Sequence, residues 1–293
     1  MSDDAQSANE LEAEEYVEQR HFFEGLQAGL ADNRPMQEIL KSVRDEILVT
    51  TKLPMAIDFM AAELRHSGQF HPAMKRLSHY FTGFQAFIIE SSEDDRGRFD
   101  FQTGLEILKY EVKLRAEHAT PQSLFLYQFE TICRHRLKYD AGFTAMASDP
   151  MYDDHWRRFL EVNRRRIGLI DIADMIYVRS EHYITQQIRR GGKLPGADFP
   201  PLFGEREGRI ALANRKRDPL LLFSALQRQL GYPKVPSKKK IDEELFLLPQ
   251  MMRRMERLEA RIKLLEEENR GGIDLSKFYE KESRPPTFGD FDD

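Results

Sequence analysis

Residues 35–68, PMQEILKSVRDEILVTTKLPMAIDFMAAELRHSG, decide the fold class. From Pro35 the apolar residues Met36, Ile39, Leu40, Val43 and Ile47 recur at i, i+3, i+4 and i+7, the spacing of one face of an α-helix. A second proline, Pro54, opens another helix. It carries Ile57, Met60 and Leu64 inward and stops at Gly68, where a backbone free of Cβ can turn left-handed. Two proline-opened amphipathic helices joined by a short polar turn form a helical hairpin.

The same grammar extends outward in both directions. Towards the N-terminus, a helix from about residue 15 to Ala31 places Tyr16, Phe23, Leu26 and Leu30 on one stripe. Residues 1–14 have no apolar periodicity and are expected to be disordered. Towards the C-terminus, Pro72 opens a helix with Met74, Leu77, Phe81, Phe84 and Ile88. Asp100 caps one with Phe101, Leu105, Leu108 and Val112. Thr120-Pro121, Asp149-Pro150 and Asp218-Pro219 repeat one device, a capping side chain followed by proline at the first helical position. After Pro150 the face is Tyr152, Trp156, Phe159 and Leu160, supported by Asp153–Arg157 and Asp154–Arg158 pairs. A helix from about Leu169 to Arg190 ends at Gly191-Gly192. No alternating β-branched run reaches strand length. The expected class is all-α, a multi-helix bundle or short α-solenoid of antiparallel helix pairs.

The expected organisation is therefore a disordered acidic stretch at 1–14 and a helical body at 15–190. A Gly/Pro-rich basic loop region follows at 191–217, in which Ile210–Ala213 reads as a lone strand or a helical turn. A helix at 218–231 packs on the body, and 232–240 is a basic linker. A coiled-coil helix covers 241–270, and an acidic-aromatic tail with Phe278, Tyr279, Phe288 and Phe291 covers 271–293.

The 241–270 segment carries heptads. Leu248, Met255 and Ile262 fall at a, and Met251, Leu258 and Leu265 at d, a seam of 3.5-residue period. Arg254 and Arg261 fall at g, Glu259 and Glu266 at e. In a parallel homodimer each g residue meets the partner's e residue five positions on, so Arg254 faces Glu259 and Arg261 faces Glu266. An antiparallel pair sets like charges together. Parallel self-association is the reading.

The chain of 293 residues has a net charge of −5, which gives it no global pull towards polyanions. That charge is uneven. Residues 1–20 hold seven acids and one base, a net of −6, whereas 155–217 hold fourteen bases and seven acids, a net of +7. Cys133 is the single cysteine, so no internal disulfide forms. No apolar run approaches the ~20 residues of a membrane helix. The expectation is a cytoplasmic protein with no membrane insertion.

Phosphate-binding glycine loops, the dinucleotide fingerprint, the nucleophile elbow and His-Glu-x-x-His are all absent. No catalytic residue and no cofactor is assigned. Glu18–His21 and Glu63–His66 are Glu-x-x-His pairs, but His21 and His66 point away from the apolar stripes of their helices. Cys133 has Arg134, His135 and Arg136 beside it and reads as a structural thiol. Two sets remain. Asp171, Asp174, Glu181 and His182 share about a third of one helix circumference, and His135 and His155 on neighbouring elements give a possible divalent-metal set. Arg164, Arg165, Arg166, Arg189, Arg190, Lys193, Arg215, Lys216 and Arg217 give a possible phosphate-contacting patch. The leading expectation is a non-enzymatic scaffold or adaptor that homodimerises through its coiled coil and binds protein partners. The alternatives are a nucleic-acid-associated protein using 155–217 and a metal-dependent helical enzyme using 171–185.

Overall fold

In a computed structural model, residues 11–94, 99–192, 196, 199–237 and 262 are described. The chain divides into a unit of residues 1–237 and a unit of residues 238–293. In the second, only Ile262 is described, and it is helical.

The first unit is built from helices whose apolar stripes close on one another. The first two are α1 (Ala13–Ala31) and α2 (Met36–Glu46). Phe22, Phe23 and Leu26 of α1 are buried, as are Ile39, Leu40 and Val43 of α2. Gly29 makes this approach possible, since a Cβ there would sit 2.6 Å from Ile39 Cγ1. Next come α3 (Leu53–Ser67), ended by Gly68 at φ 73°, and the short α4 (His71–Arg76). Then α5 (Gly83–Glu93) starts from a capping box between Thr82 and Gln85, and α6 (Phe101–Ala116) from the Asp100 carboxylate. The longest packing seam runs between α1 and α6.

Helix α7 (Pro121–His135) is central, with every residue from Leu124 to Ile132 buried. It packs on α6, on α8 (Tyr139–Ala147) and on α13 (Pro219–Leu230). Between them lie α9 (Asp154–Arg164), α10 (Ile172–Val178), α11 (Glu181–Arg189) and α12 (Glu205–Ala213). The described residues contain no strand, only two isolated bridges, Ile167 with Ile170 and Ser180 with Phe203. The all-α expectation holds for these residues.

The core is not purely apolar. Arg115 and Glu111 of α6, Gln19 of α1, Gln85 of α5 and Gln128 of α7 are all buried, together with Asp149. Arg115 Nε donates to Glu111 Oε1 at 2.7 Å and its Nη1 to Asp149 Oδ1 at 3.2 Å. Gln85 Nε2 donates to Glu111 Oε2 at 3.1 Å and to Gln19 Oε1 at 3.2 Å. Gln128 donates to Glu111 at 3.3 Å and accepts from the Tyr152 hydroxyl at 2.9 Å. Burial works against a charge on Arg115, but Asp149 and Glu111 outweigh it and raise its pKa well above the ordinary value. Such a network adds little net stability over an apolar core of the same shape, because each ion gives up its water.

Several local expectations are corrected. Pro72 does not open one long helix; α4 ends at Arg76 and α5 restarts at the Thr82 cap. Asp149-Pro150 opens only a turn: the Asp149 carboxylate accepts from Met151 N at 3.1 Å as well as from Arg115, but no helix follows. Asp153 caps α9 instead, accepting from Trp156 N at 2.8 Å. Arg157 consequently pairs with Asp154 at i+3, not with Asp153. The stretch 169–190 is two helices, broken at Arg179–Ser180. The 191–217 loop contains α12, which settles Ile210–Ala213 as helical. Residues 232–237 are not a free linker. Tyr232 and Val235 are buried, and the Tyr232 hydroxyl donates to Glu130 Oε2 at 2.8 Å. The prolines keep this segment out of a helix while its apolar side chains pack.

A candidate anion cleft at Arg179

The proposed metal set is dispersed by the break between α10 and α11. Asp171 caps α10 by accepting from Ala173 N at 3.0 Å, and it also accepts from the backbone N–H of Lys216. Asp174 is ion-paired with Arg215. Glu181 accepts from the backbone N–H of Glu205 at 3.2 Å, and His182 Nδ1 lies 2.8 Å from Glu205 Oε1. His135 Nε2 lies 2.7 Å from the Pro236 carbonyl oxygen, and His155 is exposed on α9. Among the described residues, no three His, Cys, Asp or Glu side chains are grouped to hold a metal ion.

The basic set is divided too. Arg164 donates to the Thr144 hydroxyl at 2.9 Å and lies 3.4 Å from Asp140. Arg215 and Lys216 serve the two acids of α10. Arg165, Arg166, Arg189, Arg190 and Arg217 are exposed. Lys193 lies outside the described residues, as do Leu248, Met251, Arg254, Met255, Leu258, Glu259, Arg261, Leu265 and Glu266 of the heptads and the aromatics of the tail. Of the Glu-x-x-His pairs, Glu18 accepts from Leu48 N at 3.0 Å and Glu63 bonds Arg76 at 2.9 Å. His21 meets Glu46 on the surface and His66 is exposed. Burial pushes the Cys133 thiol up to about 12, which leaves it protonated and unreactive at neutral pH.

Two grooves, of about 550 and 600 Å³, share Phe87, Glu90 and Ala141. Three ion pairs lie along them. Lys75 meets Glu90 at 2.7 Å, His71 meets Glu93 at 2.8 Å, and Lys138 meets Asp94 at 3.2 Å.

A smaller cleft behaves differently. It has a volume of about 200 Å³ and lies between α9 and α10. Its apolar walls are Phe159, Val162, Ile170, Met175, Val178 and Phe199, and Arg158, Arg166 and Arg179 supply positive charge. Arg179 is set by the backbone around it. As the C-cap of α10 it ends the helix, and its carbonyl accepts from Leu202 N at 2.8 Å and Phe203 N at 3.0 Å. Glu181 N returns a bond to the Phe203 carbonyl at 2.9 Å. Ser180 then caps α11 by accepting from Tyr183 N. Gly208 of α12 allows this lacing, since a Cβ there would sit 2.6 Å from Ser180 Cβ.

The Arg179 guanidinium lies 5.9 Å from the Phe159 ring centre and 5.3 Å from that of Phe199. Its Nε and Nη2 are shielded from solvent and have no hydrogen-bond partner. Burial lowers its pKa, the neighbouring Arg158 lowers it further, and Asp153 partly compensates. Among the described residues, Arg164 Nε and Asp174 Oδ1 also lack a hydrogen bond, but each has an ion partner. Arg179 has none. The sequence carried no sign of this: Arg179 follows the apolar residues 175–178 and precedes the polar Ser180-Glu181-His182, and its surroundings include residues 199–203, which are remote along the chain. Compared with protein-family models, curated proteins and solved structures, the chain matches none of them.

Proposed function

We propose that this protein is a non-enzymatic helical adaptor that self-associates through its C-terminal heptads and presents the 1–237 unit to protein partners. The observation that carries the reading is the charge register of 248–269. Arg254 with Glu259, and Arg261 with Glu266, match in a parallel pair of identical helices and clash in an antiparallel one. The 1–237 unit suits the presenting role. Its interior ion network ties α6, α7 and the 149–152 turn into one arrangement, and the grooves at Phe87 are large enough to seat side chains from another protein.

The test is a charge exchange read by light scattering. The Glu259→Arg, Glu266→Arg double variant sets Arg against Arg in the homodimer and is expected to run as a monomer. Adding Arg254→Glu and Arg261→Glu restores the match in mirror image and is expected to restore the dimer. A double variant that still runs as a dimer would sink the register.

A further inference from the structure

We infer that the loop of residues 164–170 and the stretch 215–221 form one surface that docks on an anionic lipid bilayer, with basic side chains at the headgroups and leucines beneath them. The inference is independent of self-association and rests on the 1–237 unit alone.

The two stretches carry one pattern. RRRIGLI at 164–170 and RKRDPLL at 215–221 each read as three bases, two residues that shape a turn, then two branched apolar residues. In the first, Gly168 at φ 84° turns the chain, and Leu169 N donates to the Arg166 carbonyl at 3.0 Å. In the second, the Asp218 carboxylate accepts from Leu220 N at 2.9 Å and α13 starts there. Each turn leaves leucine in solvent. Leu169 is 83% exposed, Leu220 43% and Leu221 55%.

Folding sets the two stretches side by side. Asp171, which follows Ile170, accepts from Lys216 N, and Asp174 is ion-paired with Arg215. The Arg215 guanidinium also lies 5.6 Å from the Tyr177 ring centre, so this base joins the stretches to each other. The three acids of 164–174 and 215–221, which are Asp171, Asp174 and Asp218, are thereby all engaged. The side chains of Arg165, Arg166, Lys216 and Arg217 are exposed and form no ion pair among the described residues. Four free positive charges therefore share a surface with three exposed leucines.

That combination selects the partner. A phosphate backbone attracts the bases but gives the leucines nothing to bury against. A protein would need a pocket shaped for each leucine, because these side chains stand on turns and not in a groove. A bilayer takes both without matched shape. Its anionic headgroups attract Lys and Arg near the surface, and the boundary below them accepts apolar side chains. The chain as a whole is negative, at −5, so the attraction belongs to this surface and not to the molecule. No described helix is long and apolar enough to cross a membrane, so the contact is made from one side.

The measurement is co-sedimentation of the full chain with vesicles of mixed phosphatidylcholine and phosphatidylserine, and with vesicles of phosphatidylcholine alone. The mixed vesicles are expected to bind the protein and the neutral ones to leave it in solution, and added salt should weaken the binding. Two variants locate the contact, and both change only exposed side chains. The triple variant Leu169→Ser, Leu220→Ser, Leu221→Ser is expected to bind roughly tenfold more weakly or worse. The quadruple variant Arg165→Gln, Arg166→Gln, Lys216→Gln, Arg217→Gln is expected to lose roughly fivefold per charge. Circular dichroism establishes that each variant is folded, and the comparison of the two vesicle types needs no variant. A soluble peptide of alternating glutamate and leucine stands in for a protein partner. If it binds and the vesicles do not, the surface serves a protein and the proposal falls. It falls equally if neutral vesicles bind as well as anionic ones, or if either variant binds like the wild type. Unchanged binding of the serine variant would reduce the contact to charge alone, which any polyanion satisfies.

Discussion

Replacing Arg115 with Met would strand Glu111 and Asp149 in an interior with no cation beside them. Removing one partner of a buried ion pair costs about 3–5 kcal/mol, and urea unfolding at neutral pH should show a loss of that size. A second residue-scale test lies at alkaline pH. Burial raises the pKa values of Tyr80, Tyr127, Tyr152 and Tyr232, and Tyr139 and Cys133 reach about 12. Unfolded, these groups ionise near 10.0 and 9.0, so the unfolded chain loses protons first and stability falls as pH rises from about 9 to about 12. Tyrosinate absorbance should accordingly show about half of the ten tyrosines titrating late, together with unfolding.

At the scale of the element, the Gly208→Ala substitution is the informative one. Alanine favours a helix over glycine by about 1 kcal/mol, so propensity alone predicts a gain. The added Cβ would instead meet Ser180 Cβ at 2.6 Å and His182 Cβ at 2.7 Å, and α12 must move off the α10–α11 break. A net loss of about 1–3 kcal/mol in chemical denaturation is expected. The sequence reads well wherever an element's limits are set by its own neighbours. Thr120-Pro121 and Asp218-Pro219 start helices because nothing distant competes for their side chains. Asp149-Pro150 has the same local chemistry and makes the same kind of bond to Met151 N, yet it opens only a turn; its carboxylate is also tied to Arg115, 34 positions earlier, a partner the local sequence does not announce. The break at Arg179 lay hidden for a related reason. The apolar period runs through it, and what divides α10 from α11 is backbone bonding from Leu202 and Phe203. The cleft inherits that opacity. Its predicted neighbours Asp174 and Arg166 were singled out for other roles, whereas Arg179 was not, since only folding isolates it.

For the whole molecule, the boundary of the first unit matters. Ending the chain after Ser237 keeps Tyr232 and Val235 in place, and the thermal midpoint of the unit should match that of the full chain. Ending it after Leu230 removes the buried Tyr232 ring and its bond to Glu130, and should cost about 3–5 kcal/mol, comparable to deleting a large core side chain. Equal stability of the two shortened chains would show that 231–237 only lies along the surface. That segment was expected to be a linker because two prolines and adjacent lysines resemble one. Its side chains, not its backbone, tie it down.

The long seam between α1 and α6 carries a consequence for how the protein is made. About 70 residues separate Ala31 from Phe101, and a ribosome adding ~5–20 residues per second takes roughly 4–14 s to cross them. For that interval the nascent α1 has emerged without the helix that covers most of its inward face. Phe22, Phe23 and Leu26 are then available to a chaperone, or to a neighbouring nascent chain on the same message. Production of this protein should therefore be more sensitive to translation speed between codons 32 and 100 than to speed anywhere after α6.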